Sequence, residues 1–217
     1  LKTIDHAYIQ NCGLQIEEAF KEWCASEMAR DFGLGNSECY SKYPLRTRGL
    51  GTLNPYILTE SDIQLHFGAY LQNYLRSDNA QIPYGRLIVH SEMPIYTSGG
   101  FADLTIHLAT PGTLWAWTSD KSPLLETLVG VIEIKYANAM RSDDYIKHDK
   151  KQNVFKDIKK LSDNHFKMDH QPLRYMLILD EAGRITRNEL LEIKEAADNS
   201  ENKVIVLTNN AEYWALP

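Results

Sequence analysis

Three ionisable residues in this chain are placed where a strand would rather be apolar. The stretch VGVIEIKYA, Val129 to Ala137, sets Glu133 and Lys135 two positions apart among β-branched residues, and FADLTIHLA, Phe101 to Ala109, carries Asp103 in a clean alternation. Side chains alternate across a strand, so Ile132, Ile134 and Tyr136 share one face while Glu133 and Lys135 share the other. By the same rule Ala102, Leu104, Ile106 and Leu108 oppose Asp103, Thr105 and His107. If the two strands are neighbours, Asp103, Glu133 and Lys135 converge on one patch of sheet. Charge removed from water needs a partner or a metal. Two adjacent carboxylates repel, and a hard divalent cation such as Mg²⁺, with Mn²⁺ as substitute, relieves that repulsion. The carbonyl of Ile134 is a further oxygen ligand, and Lys135 is placed to orient or deprotonate a water or to hold a phosphate oxygen. Those parts suit metal-assisted hydrolysis of a phosphodiester. A plain surface ion pair between Glu133 and Lys135 is the bland alternative, and it leaves Asp103 unexplained.

The elements that must carry these residues follow from periodicity. A helix is expected over Leu14 to Phe32, with Leu14, Phe20, Trp23, Cys24 and Met28 as its stripe and Gly33 as its stop. Residues 36–55, with Pro44, Gly49, Gly51 and Pro55, read as a loop-rich connector. A second helix is expected from Thr59 as N-cap, its first turn holding Glu60 and Asp62 and its stripe formed by Ile63, Phe67, Tyr70, Leu71 and Tyr74. Strands follow at Arg86 to Glu92, at Phe101 to Ala109 and at about Thr127 to Tyr136, with Trp115 and Trp117 in the loop or hairpin before the last of them. Asp143 to Leu161 reads as a helix whose inner stripe is Val154, Phe155, Ile158 and Leu161. Leu173 to Asp180, Asn188 to Ala197 and Val204 to Thr208 complete the chain as strand, helix and strand. This order predicts an α/β fold with a mixed central sheet flanked by helices.

Size and composition narrow the function classes. At 217 residues the chain suffices for one substantial core, and no apolar run approaches the ~20 residues that a membrane-crossing helix needs. The net charge of −6 argues against a basic nucleic-acid coat protein. It leaves room for an enzyme gripping nucleic acid through a local patch, and lysines outnumber acids between Arg141 and Lys167. Cys12, Cys24 and Cys39 lack metal-ligand spacing, which fits reduced thiols and a cytoplasmic setting. Phosphate-binding loop, dinucleotide, zinc-protease and serine-hydrolase motifs are absent from the sequence.

Gly100-Phe-Ala-Asp103 followed by Ile132-Glu-Ile-Lys135 resembles the signature of the PD-(D/E)XK nuclease superfamily, the restriction-endonuclease-like fold. Ala102 stands where the superfamily's name has proline. The resemblance spans roughly Thr59 to Asp180 and implies an αβββαβ core, here residues 55–217, preceded by an N-terminal helical extension at 1–54. It implies a Mg²⁺-dependent endonuclease acting on DNA, with Asp103 and Glu133 as metal ligands and Lys135 as the group assisting water. It also implies a further acid on the first core helix, matched by Glu60, with Glu92 as a competitor. Each has a bland counterpart: Glu60 is well placed to favour a helix dipole, and Glu92 to be a solvated strand end. Polar groups on the helix after the second acidic strand, here Lys151 and Gln152, are implied as phosphate contacts. His107 is more simply a hydrogen-bonded strand histidine, and His148 a surface one. A homodimer, or a partner protein within a defence, repair or transposition system, is compatible with the resemblance. The competing expectation is a catalytically silent module of the same fold that binds protein or nucleic acid.

Overall fold

The computed structural model describes residues 6–25, 60–76, 86–96, 99–109, 127–137, 151–163, 170–180 and 185–217. The elements in chain order are α1 (His6–Ala25), α2 (Glu60–Arg76), β1 (Arg86–Met93), β2 (Ala102–Ala109), β3 (Leu128–Ala137), α3 (Lys151–Asp163), β4 (Leu173–Asp180), α4 (Arg187–Asp198), β5 (Ile205–Thr208) and α5 (Ala211–Trp214). The strands form one five-stranded sheet in the order β1-β2-β3-β4-β5. β1, β2 and β3 run antiparallel to their neighbours, whereas β4 and β5 extend the sheet in parallel from β3. The mixed α/β sheet flanked by helices is therefore as the periodicity predicts. The expected connector at 36–55, the Thr59 cap, the Trp115 and Trp117 loop, Cys39, His148 and the start of the third expected helix lie outside the described residues.

Each face of the sheet has its own core. On one side α1 and α2 bring Ile16, Phe20, Trp23, Ile63, Phe67 and Leu71 against Leu104, Ile106, Ile132, Ile134, Tyr136 and Tyr175. On the other, α3, α4 and α5 bring Val154, Ile158, Leu161, Leu190, Ile193 and Tyr213 against Val131, Met176, Ile178 and Val206. Burial on both faces explains why β4 is an almost unbroken apolar run, as expected of a strand with parallel neighbours. No helix among the described residues is long and apolar enough to cross a membrane.

A bulge sets the facing of the central strand. Ile106 pairs with Gly130 but His107 pairs with Leu128, so β3 holds an extra residue at Val129. Val129 accordingly joins the α1/α2 core, Val131 the opposite one, and from Ile132 onward the expected alternation holds. Ile132, Ile134 and Tyr136 anchor β3 under α1 and α2, which directs Glu133 and Lys135 towards α3.

Three expectations need correction. α1 is helical from His6, ahead of the predicted start, and residues 26–32 are not among those described. Its buried stripe is Tyr8, Ile9, Cys12, Ile16, Ala19, Phe20 and Trp23, a 3.6-residue repeat that leaves Leu14 on the far side, 63% exposed. Ala102 leaves the face shared by Leu104, Ile106 and Leu108 and packs in the α3/α4 core with Met93. Between the pairs Ser91–Leu104 and Met93–Ala102 stands Glu92 at φ 53°, a left-handed twist that exchanges the faces of both strand ends. Tyr70 and Tyr74 border the α2 stripe and are only partly buried, while Leu75 completes it.

Gly68 lets α2 lie close on the sheet, since a Cβ there would stand 3.1 Å from Leu104 Cδ2. The same close approach seats Phe67 within 5.1 Å of Trp23 and 5.9 Å of Phe20, ring centre to ring centre, the latter edge-on. Phe67→Ala should therefore cost about 3–5 kcal/mol. Leu65→Ala, on the exposed face of the same helix, should stay within about 0.5 kcal/mol of the parent. Urea unfolding of the two variants compares them directly, and similar losses would contradict this assignment of faces.

Candidate active site

Where β2 and β3 part, two carboxylates take over from the ladder. The β2–β3 pairs run to Leu104–Ile132 and stop. One step beyond, the Ile134 N–H donates to Asp103 Oδ2 at 2.6 Å, and the Tyr136 N–H donates to Glu60 Oε1 at 3.3 Å. A backbone donor in a partly dry place must find an acceptor, and here acids from β2 and α2 supply it. The freed Asp103 carbonyl in turn accepts from Gln64 Nε2 at 2.6 Å, tying α2 to the end of β2. Asp103, Glu60 and β3 are thus held together by hydrogen bonds that no strand pairing provides.

On the α3 side of β3 lie Glu133 and Lys135. Glu133 is 3% exposed, and its Oε1 accepts from Tyr96 Oη at 2.5 Å and from Lys160 Nζ at 2.9 Å. Lys160 also donates to the Phe101 carbonyl at 3.1 Å and stands 4.1 Å from the centre of the Tyr96 ring. Lys135 Nζ meets Asp157 Oδ2 at 2.8 Å, the Ile134 carbonyl at 3.2 Å and Glu60 Oε2 at 3.9 Å. Four acids, two lysines and one backbone carbonyl, drawn from α2, β2, β3 and α3, therefore occupy one region.

Burial and crowding shift the charges here. Burial, and then the neighbouring Asp103 carboxylate, raise the Glu133 carboxyl to about 7 against the opposing pull of Tyr96 and Lys160. Asp103 is also raised, chiefly by burial, with its bond from Ile134 and the charge of Lys135 working the other way. Burial works against the charge on Lys135, but its bond to Asp157 and the attraction of Asp157, Glu60 and Asp103 outweigh it, and its pKa is raised. Tyr96 is pushed far up by burial and by Glu133, so its hydroxyl stays a neutral donor.

The expected residues divide by position. Asp103, Glu133, the Ile134 carbonyl, Lys135 and Glu60 come together, whereas Glu92 is exposed. Lys151 and Gln152 open α3, and their side chains lie outside the described residues. His107 is buried between Thr105 Oγ1 at 3.0 Å and Thr127 Oγ1 at 3.2 Å, the hydrogen-bonded strand histidine anticipated. Asp157, Lys160, Tyr96 and Gln64 were not singled out from the sequence. Asp157 had a signal: with Val154, Ile158 and Leu161 it falls at i, i+3, i+4 and i+7, an acid within an apolar stripe. Lys160 and Tyr96 had none, because only the packing of α3 and of the segment after β1 brings them to Glu133.

Among the described residues no three His, Cys, Asp or Glu side chains are gathered closely enough to form a metal cluster by themselves. Mg²⁺ asks for less, since it commonly takes one or two carboxylates and keeps several waters. Asp103, Glu133 and the Ile134 carbonyl are hard oxygen donors of that kind. The mutual repulsion of Asp103 and Glu133 is the electrostatic demand such a cation answers. The donor set fits the ion in chemistry and number.

Comparison of the chain with protein-family models, curated proteins and solved structures yields no match.

Glu133 makes the metal-free protein sensitive to pH in a definite direction. Its folded pKa of about 7 exceeds the ordinary 4.5, so between these values the folded chain keeps a proton that the unfolded chain has released. Stability must then fall as pH rises through that window, by up to about 3 kcal/mol at ~1.4 kcal/mol per unit. Glu133→Gln should remove this part of the slope, as checked by urea unfolding of both proteins at pH 5 and pH 8 in chelator. A slope unchanged by the substitution would show that Glu133 is ionised throughout.

Proposed function

We propose that this chain is a metal-dependent nuclease that hydrolyses phosphodiester bonds, with DNA as its substrate, and that it has a restriction-endonuclease-like core. The observation that carries this reading is the bond from Ile134 N–H to Asp103, which seats one acid between the positions of Glu133 and Lys135. The element order α2-β1-β2-β3-α3-β4 supports the αβββαβ core.

In this reading Asp103, Glu133 and the Ile134 carbonyl hold a Mg²⁺ or Mn²⁺ ion, with Glu60 close behind. Bound there, the ion supplies Lewis acidity towards a phosphoryl oxygen and lowers the pKa of a coordinated water. Lys135 acts beside it. Its ammonium is kept charged and aimed by Asp157 and already touches the Ile134 carbonyl, so it is positioned to orient water or to neutralise a phosphate oxygen. Asp157 positions Lys135 without needing to touch substrate. With a net charge of −6, the chain must grip a polyanion locally, and the lysines between Arg141 and Lys167 are the nearest supply in sequence.

A second reading has its own support. Lys160 on Glu133 and Asp157 on Lys135 neutralise both groups internally, as would suit a silent module using the fold for binding. Cleavage of plasmid, single-stranded DNA and RNA with Mg²⁺ or Mn²⁺ separates the two. Wild-type protein should cut DNA, and Asp103→Ala and Lys135→Ala should each lose at least about 100-fold in rate, the scale expected of groups that act at the reacting centre. Absence of cleavage on every substrate, or variants as active as the parent, would leave the silent module.

A further inference from the structure

The two donors on Glu133 share one oxygen. Tyr96 Oη at 2.5 Å and Lys160 Nζ at 2.9 Å both reach Oε1. Neither group is a loose surface side chain. Tyr96 is 2% exposed and packs in the α3/α4 core with Met93 and Ala102. Lys160 is fixed by three contacts from different parts of the chain: Glu133 of β3, the Phe101 carbonyl ahead of β2 and the face of the Tyr96 ring. Gly99 and Gly100, at φ 76° and 122°, make the turn that brings Phe101 there.

We infer that Tyr96 and Lys160 are positioning residues, clamping Oε1 of Glu133 so that Oε2 is presented to a divalent cation. The inference rests on the metal-site reading above and adds residues that touch neither cation nor substrate. A buried carboxylate beside Asp103 would otherwise be free to turn away. A hydroxyl donor and an ammonium on the same oxygen oppose this by fixing the plane of the carboxylate. Outer partners of this kind commonly contribute 10- to 100-fold in metal affinity. Lys160 reaches Glu133 from α3, three residues beyond Asp157, which holds Lys135. One helix face therefore sets both charged groups of β3.

The test is a Mn²⁺ titration of the metal-free protein without substrate, followed by electron paramagnetic resonance of the free ion. Wild type is compared with Tyr96→Phe, Lys160→Met and Lys160→Arg, and thermal unfolding establishes that each variant is folded. Tyr96→Phe, which removes one hydroxyl, and Lys160→Met should each weaken Mn²⁺ binding about 10-fold or more, and Lys160→Arg should recover most of the loss. Folded Tyr96→Phe and Lys160→Met proteins that bind as wild type would overturn the inference while leaving the metal site standing. Tighter binding by Lys160→Met would make Lys160 a competitor of the ion and also overturn it. A loss that Lys160→Arg does not relieve would assign the effect to packing, with the same consequence. If Lys160→Met does not fold, Tyr96→Phe decides alone. Wild-type protein that binds no Mn²⁺ would remove the metal-site reading and this inference together.

Discussion

The central strand loses its antiparallel neighbour at Ile132 and still has N–H groups to satisfy. That single constraint organises the site. Ile134 and Tyr136 donate to Asp103 and Glu60 rather than to another strand, so carboxylates are drawn against the backbone of β3 where the sheet opens. Once there, Asp103 adds to the burial that raises the cost of ionising Glu133, and both acids favour the charge on Lys135. The cluster is a consequence of where strand pairing ends, and the bulge at Val129 determines which residues of β3 face it.

Two separate cores make this arrangement affordable. The α1/α2 core grips the apolar face of β3 through Ile132, Ile134 and Tyr136, while α3 packs on the opposite face. Charged groups can then stay on that opposite face because α3 answers them with Asp157 and Lys160. Breaking a buried pair by removing one partner costs far more than the pair contributes net. Such pairs are therefore weak evidence for stability. They are better evidence that geometry here is constrained.

The alternation in VGVIEIKYA and FADLTIHLA was enough to pair the strands in outline, because a strand with one apolar face has few ways to sit on a core. The acid, acid and lysine triad was legible for the same reason. The stripe of α1 was misread at Leu14. At 3.6 residues per turn Leu14, nine residues before Trp23, falls on the opposite side of the helix, whereas Ile16, seven before it, falls beside Trp23, so the repeat itself places Ile16 and not Leu14 on the buried face. Ala102 was misplaced by a twist at Glu92, whose left-handed φ has no signature in a glutamate.

By itself the sequence determined the mixed α/β order, the strands that form the sheet and the three ionisable residues that β2 and β3 bring together, since each depends on periodicity within a short segment. Tertiary structure alone decided what surrounds them. Tyr96, Asp157 and Lys160 reach Glu133 and Lys135 across sequence separations of 37, 22 and 27 residues, and no local pattern encodes such a meeting. It also decided that the Asp103 carboxylate would serve the Ile134 N–H, because a backbone donor takes the acceptor that folding leaves beside it.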